Sequence, residues 1–446
     1  MARIGIAGAG VLGRLLAWQL GSAGHAVTVF DPAPGPQAPA TGSLNGRAEH
    51  AAGFTAAGML SPMAELDNAG PAMARLGWRS LALWQGVTEQ LRALGCTAPL
   101  FAQHGSLLLA HGADLGAAQR VLGRLAAANA PASELPTPQP LDRAALAALE
   151  PAVAPGLHAW LLPGEGQVMP HDLLTALAVH APNVHWCWGE RVDRVAPGRL
   201  TLADGDVLPF DLAIDVRGVN GAHPRAACGV NPSKGNQQRP GQAGSALALD
   251  EGMPVRGVRG EVVWLHAPGV RLLRPLRLLH PRHRVYIVPR PGDRFVVGAS
   301  EIESEDRSPV SLRSAVELMA AAHSVLPELA EARIVHLETN LRPALPDNEP
   351  RIDHADGLLR INGLFRHGWL VAPALVENAL ALVNSERPHP PSTSSGQAQP
   401  LPPAGDGSAP PSGREGAWLP RPSGERVGVR GPRAQQPDMK TDQETA

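Results

Sequence analysis

Cysteine is scarce in this sequence of 446 residues, which carries only 3. Cys96, Cys187 and Cys228 lie far apart and match no metal-binding spacing. We therefore predict no metal site, and the low cysteine content is typical of a protein that stays in the reduced cytoplasm.

The sequence also lacks a surplus of positive charge and a long apolar run. Lys and Arg total 39 and Asp and Glu total 41, for a net charge of −2, which argues against a general nucleic-acid binder. No apolar run reaches the roughly 18 residues that a membrane span needs. The N-terminal MARIGIAGAG has no charged and then apolar leader. We therefore expect a cytoplasmic protein with no nucleic-acid partner and no integral membrane segment.

Glycine and proline, by contrast, are frequent, at 48 and 45 residues, and some of them mark segments that we predict do not fold. The stretch 386–446 is rich in Pro, Ser, Gly and Gln and has no Ile, Phe or Tyr, which predicts a disordered tail. The polar, Gly-rich stretch 229–254 is interpreted as a loop insertion. The remaining part of 1–385 is long enough for two domains.

Strand and helix signals alternate at the start of the chain, with a strand at 3–7, a helix at 11–23 and a strand at 25–30. Strand pairs dominate 257–300, where 285–288 and 294–298 flank a Pro-Gly-Asp turn. This order predicts an α/β (α+β) fold, in which a Rossmann-type nucleotide-binding domain is joined to an antiparallel-sheet domain. Further helices are predicted at about 71–94, 142–149, 171–179, 311–326 and 374–383, and strands at 332–338 and 358–361.

A glycine-rich turn separates the first strand from the first helix. Gly8 can make the tight turn, Gly10 lets the backbone approach a pyrophosphate, and Gly13 lets the helix pack on the sheet. The N-terminus of the helix then offers unpaired N–H groups to the phosphates. Asp31, which closes the second strand, can accept hydrogen bonds from ribose hydroxyls and would repel the 2′-phosphate of NADP. The pattern predicts a dinucleotide site without separating FAD from NAD.

Several downstream segments resemble the D-amino-acid oxidase superfamily of FAD enzymes, and most of all the ThiO family of glycine oxidases. They follow the order of that family over nearly all of 1–385 and are 56–62 (AAGMLSP), 149–151 (LEP), 164–167 (GEGQ), 259–262 (RGEV), 286–290 (YIVPR), 297–299 (VGA), 341–343 (LRP) and 365–368 (FRHG). The resemblance implies FAD-binding segments at about 1–85, 150–228 and 338–385. It implies a substrate domain at about 86–149 and 255–337.

The resemblance also implies roles for particular residues. Arg342 matches the arginine that pairs with the substrate carboxylate, Tyr286 a tyrosine of the amino-acid pocket, and Arg366 a second pocket residue. An interdomain salt bridge for Arg342 and a core position for Tyr286 stay open as alternatives. The implied FAD contacts are Gly8, Gly10, Val11, Leu12, Gly13, Asp31, Ala57, Gly58, Met59, Val192, His367, Gly368, Trp369, Leu370 and Val371.

Other polar residues are interpreted as structural. His50 and His367 are not needed as catalytic bases, Glu150 and Glu165 lie in turn-like contexts, and Arg290 is expected to bridge strands. Cys187, between Trp186 and Trp188, is expected to be buried and unreactive. Because no cysteine follows Cys228, the covalent flavin link of sarcosine-oxidase relatives is excluded and FAD is expected to be non-covalent.

The implied activity is FAD-dependent oxidation of glycine or another small amino acid or amine to the imine. Molecular oxygen would be the second substrate and hydrogen peroxide a product, and the imine of glycine would supply thiazole formation in thiamine biosynthesis. One alternative is a D-amino-acid dehydrogenase with a quinone or protein acceptor, and another is a non-catalytic flavin-binding scaffold. The oligomeric state stays open, with a homo-oligomer as one option.

Overall fold

The computed structural model describes residues 1–37, 50–66, 70–128, 136–221, 252–279 and 284–385. The predicted tail 386–446 and Cys228 lie outside these residues, and of the predicted insertion 229–254 only 252–254 are described. Among the residues described, none of the helices combines the length and the hydrophobicity that crossing a bilayer requires.

Twenty strands, which belong to two large and two small sheets, form among the described residues. They are β1 Arg3–Ala7, β2 Ala26–Asp31, β3 Met59–Leu60, β4 Phe101–Ala102, β5 Ser106–Ala110, β6 Gln139–Leu141, β7 His158–Leu162, β8 Gly166–Val168, β9 Val184–Trp188, β10 Val192–Ala196, β11 Arg199–Leu202, β12 Val207–Pro209, β13 Leu212–Asp215, β14 Arg256–His266, β15 Leu276–Leu279, β16 Arg284–Arg290, β17 Arg294–Gly298, β18 Arg333–Ala344, β19 Arg351–Ala355 and β20 Leu358–Asn362.

The helices lie mainly against these sheets. They are α1 Val11–Ser22, α2 Ala52–Thr55, α3 Pro62–Glu65, α4 Pro71–Ala93, α5 Leu115–Ala128, α6 Arg143–Leu149, α7 Pro170–Val179, α8 Leu312–Val325 and α9 Gly368–Ser385. Short 3-10 turns occur at Gly112–Asp114, Gly218–Gly221, Pro327–Glu331 and Phe365–His367.

The first sheet is the predicted nucleotide-binding sheet. Its order is β19-β20-β13-β1-β2-β9, and all of its pairs are parallel except β19 with β20. Helix α1 returns the chain from β1 to β2, as the alternation of strand and helix signals predicts. The predicted strand–helix–strand start is therefore confirmed within one residue at each boundary.

The second sheet is mainly antiparallel, as predicted, and has eight strands in the order β18-β14-β17-β16-β15-β5-β7-β6. Its two faces differ because side chains alternate along each strand. One face carries Val263, Val297 and Ile287, which pack in an apolar core with Leu318 of α8. The other face carries the side chains of the candidate site. The remaining strands form two small sheets, β10-β11-β12 and β3-β8-β4.

The predicted domain boundaries cut through elements of the structure. Helix α4 spans the boundary placed at residues 85/86, and β7 joins the eight-stranded sheet although it lies within the predicted FAD segment 150–228. The contacts group Met1–Pro388 into one compact unit. Sequence pattern gives the type of each element but not the sheet that an individual strand joins.

Helix α9 begins at Gly368, six residues before its predicted start, because tertiary contacts compensate for the proline inside it. Pro373 has no N–H to donate to the carbonyl of Trp369 four residues earlier. The indole of Trp84 on α4 donates to that carbonyl instead, at 2.8 Å, and Ser80 accepts the amide N–H of Ala374 at 3.2 Å. The helix therefore continues through a residue that usually ends one.

Glu165 is a fully buried carboxylate under the short helix α3. It accepts hydrogen bonds from the hydroxyls of Ser61 and Ser106 and from the amide of Met63. Burial raises the pKa of Glu165 to about 7, and these hydrogen bonds only partly oppose the rise. Its predicted structural role agrees with this position.

The raised pKa of Glu165 predicts a pH-dependent stability. The folded protein keeps a proton that the unfolded chain, with an ordinary glutamate pKa of 4.5, gives up. Stability is therefore lost as the pH rises from about 4.5 through 7. Glu165→Gln lacks this titrating group. Between pH 5 and pH 8 the free energy of unfolding of wild type should therefore fall by roughly 2 to 3 kcal/mol relative to that of the variant.

Denaturant unfolding of both proteins at the two pH values measures this relative fall. The exposed Glu328 provides the control variant Glu328→Gln, which should follow wild type. A constant difference between Glu165→Gln and wild type would contradict the assignment.

Candidate active site

A cavity of about 1820 Å³ opens where the parallel strands end. Its wall runs from the glycine-rich turn to the site-bearing face of the eight-stranded sheet. Of the predicted site residues, two do not reach the wall, Gly13 and Val371. The others line it and are Gly8, Gly10, Val11, Leu12, Asp31, Ala57, Gly58, Met59, Val192, Tyr286, Arg342, Arg366, His367, Gly368, Trp369 and Leu370.

The glycine-rich turn has the geometry that its spacing predicts. Gly8 has a φ of +102°, and a Cβ on Gly13 would lie 1.9 Å from the carbonyl oxygen of Gly8, so Gly13 acts by close packing and not from the wall. A Cβ on Gly10 would meet only Ala51, at 3.7 Å. Gly10 precedes α1, and among the residues described no side chain caps this helix. Its first amide groups are therefore available to an anionic ligand.

The Asp31 carboxylate organises this turn. It accepts the amide N–H of Ala9 at 2.6 Å and that of Ala33 at 2.9 Å. Each carboxylate oxygen has a further lone pair, so the predicted contact to ribose hydroxyls is compatible with these bonds.

Arg14 is a residue of this region that motif reasoning missed. It is 1 % exposed, and its guanidinium donates to the carbonyls of Ala9, Pro36 and Leu174, each at 2.7 Å. Burial lowers the pKa of Arg14 to about 10. Arg14 thus fixes the turn from behind, and the available signal was an arginine inside an otherwise apolar helix.

Val192 lies at the same end of the cavity and is held by Arg217. The guanidinium of Arg217 donates to the carbonyls of Val192 and Asp193, at 2.9 and 3.0 Å, and pairs with Asp215 at 2.8 Å. The Asp-Val-Arg-Gly segment therefore ties the first sheet to the β10-β11-β12 sheet beside the predicted adenine contact.

Two residues of strand β18 that the sequence did not single out, Glu338 and Asn340, fasten the segment 50–55 to that strand. Glu338 accepts hydrogen bonds from Nε2 of His50, at 2.9 Å, and from the hydroxyl of Thr55. Asn340 donates to that hydroxyl at 2.9 Å and to the carbonyl of His50 at 3.2 Å. His50 is thus a hydrogen-bonding residue, and these contacts hold the segment that precedes Ala57.

The register of the eight-stranded sheet brings the predicted substrate residues together. Gly298 of β17 pairs with Tyr286 of β16, and Gly260 of β14 lies beside Arg342 of β18. A Cβ on Gly298 would be 2.5 Å from the Tyr286 hydroxyl, and one on Gly260 would be 2.5 Å from Cζ of Arg342. The missing side chains of two glycines therefore make room for the tyrosine ring and the guanidinium.

Arg342 is bonded only to neutral groups among the residues described. Its guanidinium donates to the carbonyls of Arg259, at 3.3 Å, and Ser300, at 3.0 Å. Burial lowers its pKa, and burial raises the pKa of Tyr286. The guanidinium stays cationic, and the phenol stays protonated at neutral pH. The carboxylate partner required by a salt-bridge role for Arg342 is not found in the described part of the chain.

Glu65 is the central carboxylate of this end of the cavity, and sequence reasoning assigned it no role. Its oxygens lie 3.2 Å from Arg277 Nη1, 3.4 Å from Arg366 Nε and 3.3 Å from His367 Nδ1. Arg366 also meets Glu301 at 3.3 Å. Burial lowers the pKa of His367, and Glu65 partly opposes that shift. Its position after the AAGMLSP segment was the available signal.

The remaining predicted polar residues occupy structural positions. Glu150 accepts the amides of Leu273 and Arg274 and pairs with the Arg274 side chain at 2.9 Å. Arg290 of β16 donates to Gln167 of β8 at 3.0 Å and to the carbonyl of Ala57, so it links two strands, as expected, and joins them to the cavity wall.

Cys187 is half-buried and not buried as predicted, because β9 is an edge strand. Burial still raises the pKa of its thiol, which keeps it unreactive. No group of three metal-binding side chains forms within the described ranges.

Comparison with known proteins agrees with this geometry. The profile of the DAO family, FAD-dependent oxidoreductases, matches residues 3–378. A Rhizobium etli protein named for ThiO, the thiamine biosynthesis oxidoreductase, is 32 % identical over 389 residues, covering 87 % of this chain and 98 % of that protein. The glycine oxidase of Geobacillus kaustophilus is 25 % identical over 391 residues, covering 83 % and 89 %.

Solved structures show the same fold. Iminodiacetate oxidase from Chelativorans sp. BNC1 matches with a TM-score of 0.69 and 24 % identity, over 87 % of this chain and 97 % of that one. Glycine oxidase from Geobacillus kaustophilus matches with a TM-score of 0.67 and 24 % identity, over 87 % and 96 %. The predicted fold class and the predicted FAD cofactor are confirmed.

The vacancy at Gly260 gives a direct test of the guanidinium position. In Gly260→Ala the new methyl group would displace the Arg342 guanidinium, so we expect acetate to bind at least about tenfold more weakly while bound flavin is retained. Perturbation of the flavin absorbance by acetate measures this affinity. Gly86→Ala is the control, because a Cβ there meets nothing within 4 Å. Unchanged acetate affinity in Gly260→Ala would contradict the assignment.

Proposed function

The chain belongs to the DAO family of FAD-dependent oxidoreductases, and from that premise we propose that it oxidises glycine or another small amino acid. The product is the imine, and oxygen is reduced to hydrogen peroxide. The observation that carries the proposal is Arg342, a guanidinium without a carboxylate partner among the described residues, beside Tyr286 in the cavity that also holds the glycine-rich turn.

The residues present fit FAD at the other end of the cavity. The open backbone at Gly10 and the uncapped start of α1 suit a pyrophosphate, and Asp31 and Val192 line the wall where ribose and adenine would bind. Ala57, Gly58 and Met59 on one side and the start of α9 on the other would hold the isoalloxazine ring. When bound, FAD supplies the two-electron acceptor that passes electrons on to oxygen.

Arg342 would bind and orient the amino-acid carboxylate. A guanidinium donates two parallel hydrogen bonds to a carboxylate, which fixes the position of Cα. The neutral phenol of Tyr286 can donate a hydrogen bond to the same carboxylate. Val262, Ala299 and Met59 add apolar wall next to these groups, which limits the access of water. Catalysis then rests mainly on positioning, and no strong general base is required.

The names of the relatives support a place in thiamine biosynthesis. The Rhizobium etli relative is named for ThiO, and a glycine oxidase aligns over most of the chain. We propose that the imine formed from glycine supplies thiazole formation. A reactive imine hydrolyses in water, so the reaction that consumes it must follow closely.

A D-amino-acid dehydrogenase would use the same carboxylate site but would pass electrons to a quinone or protein. The two enzymes differ in the reaction with oxygen. The flavin-binding scaffold without turnover is disfavoured because Arg342, Tyr286 and Arg366 all line the cavity.

Peroxide release by the purified yellow protein tests the proposal, with glycine, sarcosine, D-alanine and D-proline in parallel. We expect glycine to bleach the flavin and to release one peroxide for each imine. Bleaching without peroxide would instead indicate the dehydrogenase, and no bleaching by any amino acid would indicate the scaffold.

Arg342→Ala should raise KM for glycine by roughly 100- to 1000-fold, because a buried carboxylate would lose its ionic partner. Arg342→Lys keeps the positive charge, so its KM for glycine should rise less than that of Arg342→Ala. The exposed Arg294, away from the cavity wall, provides the control variant Arg294→Ala. Steady-state kinetics with glycine measure all three, and an unchanged KM in Arg342→Ala would refute the carboxylate role.

A further inference from the structure

One row of paired residues crosses the eight-stranded sheet at the candidate site. It joins Glu338, Val262, Gly298, Tyr286 and Arg277 through successive pairs between neighbouring strands. Directly paired residues point to the same face of a sheet. Arg277 therefore stands next to Tyr286 on the site-bearing face, and it lines the same cavity.

Arg277 has a donor that nothing in the described part of the chain satisfies. The residue is 4 % exposed. Its Nη1 lies 3.2 Å from Glu65, whereas Nη2 is buried and has no hydrogen-bond partner among the described residues. A buried guanidinium donor without an acceptor is costly, and an acceptor atom of a ligand in the cavity would satisfy it.

A second guanidinium close by has a partner that a ligand could replace. Arg366 meets Glu301 at 3.3 Å, but the Glu301 side chain is 47 % exposed. An ion pair with one solvated partner is weak. A ligand carboxylate could therefore take the place of Glu301 at Arg366, and Glu301 would turn to water.

Among the four side chains Arg277, Arg342, Arg366 and Glu65, the charges balance when two ligand carboxylates are bound. Arg277, Arg342 and Arg366 carry three positive charges, and Glu65 is the enclosed carboxylate between two of them. Burial lowers the pKa of His367, so the imidazole adds no charge at neutral pH. When Glu301 has turned to water, these four side chains carry a net charge of two positive units. One ligand carboxylate therefore neutralises half of it, and two neutralise all of it.

We propose that the preferred substrate is an amino acid whose nitrogen substituent or side chain carries a second carboxylate. Arg342 binds the first carboxylate, and Arg277 with Arg366 binds the second. This inference rests on the proposed oxidase function, which it deepens by naming the substrate class.

Glutarate tests the second carboxylate without requiring turnover. It has the chain length of iminodiacetate with a methylene in place of the nitrogen, so it cannot be oxidised as an amine. Glutaramate, its monoamide, has nearly the same shape and one carboxylate fewer. The dissociation constants of both are measured from the perturbed absorbance of the bound flavin. We expect wild type to bind glutarate at least tenfold more tightly than glutaramate.

In Arg277→Met the ratio of the glutaramate to the glutarate dissociation constant should fall to about 1 to 3. Arg277→Lys keeps the charge, so its ratio should lie between those of wild type and Arg277→Met. Arg294→Met removes an exposed charge away from the cavity and should keep the wild-type ratio. A ratio near one in wild type would overturn the proposal. So would an unchanged ratio in Arg277→Met, and weaker FAD binding by that variant would then assign Arg277 to the cofactor.

Turnover separates this proposal from the proposed function. Iminodiacetate is expected to give a kcat/KM above that of glycine in wild type, and the reverse order would count against the diacid pocket. Failure of every amine to reduce the flavin would refute the oxidase, and the glutarate ratio would still decide whether the pocket selects a diacid.

Discussion

The hydrogen bonds that Glu338 accepts from His50 and Thr55, together with those that Asn340 donates to the same two residues, are the contacts on which the rest of the site depends. They join strand β18 of the eight-stranded sheet to the segment that leads into the predicted flavin contacts. Arg342 lies on the same strand and the same face, two residues beyond Asn340. The carboxylate-binding group and the flavin-facing segment are therefore fixed to one strand, and the distance between them does not depend on how loops elsewhere are arranged.

Absent side chains shape the substrate end as much as present ones do. The space at Gly260 and Gly298 admits the Arg342 guanidinium and the Tyr286 ring to a sheet face that otherwise carries Val262, Val288 and Val296. A polar pocket is thereby set into an apolar wall. Charged groups in such a place interact strongly with a ligand, because little water competes with them.

Local pattern was enough to predict the start of the chain and the two kinds of sheet, and the family resemblance supplied most of the sixteen predicted residues that line the cavity. Gly8, Gly10 and Asp31 follow from spacing, because their roles are set within a single strand–helix–strand unit. Glu65, Arg277 and Glu338 were missed because their partners are far away in the sequence and depend on strand register. Arg14 was missed because its bond to the Leu174 carbonyl depends on how α1 packs against α7. The early start of α9 was missed for the same reason, since it needs Trp84 and Ser80 of another helix.

The hydrogen bond from the Trp84 indole to the Trp369 carbonyl makes the cavity wall sensitive to substitutions in α4. It fastens the first turn of α9, which lines the cavity, to a long helix whose opposite side faces solvent. A destabilising substitution in α4 would therefore loosen the start of α9 in the cavity wall, although no residue that contacts the substrate is changed. Such a protein would first be noticed as one that loses its yellow colour during purification, and its residual activity would return with added FAD.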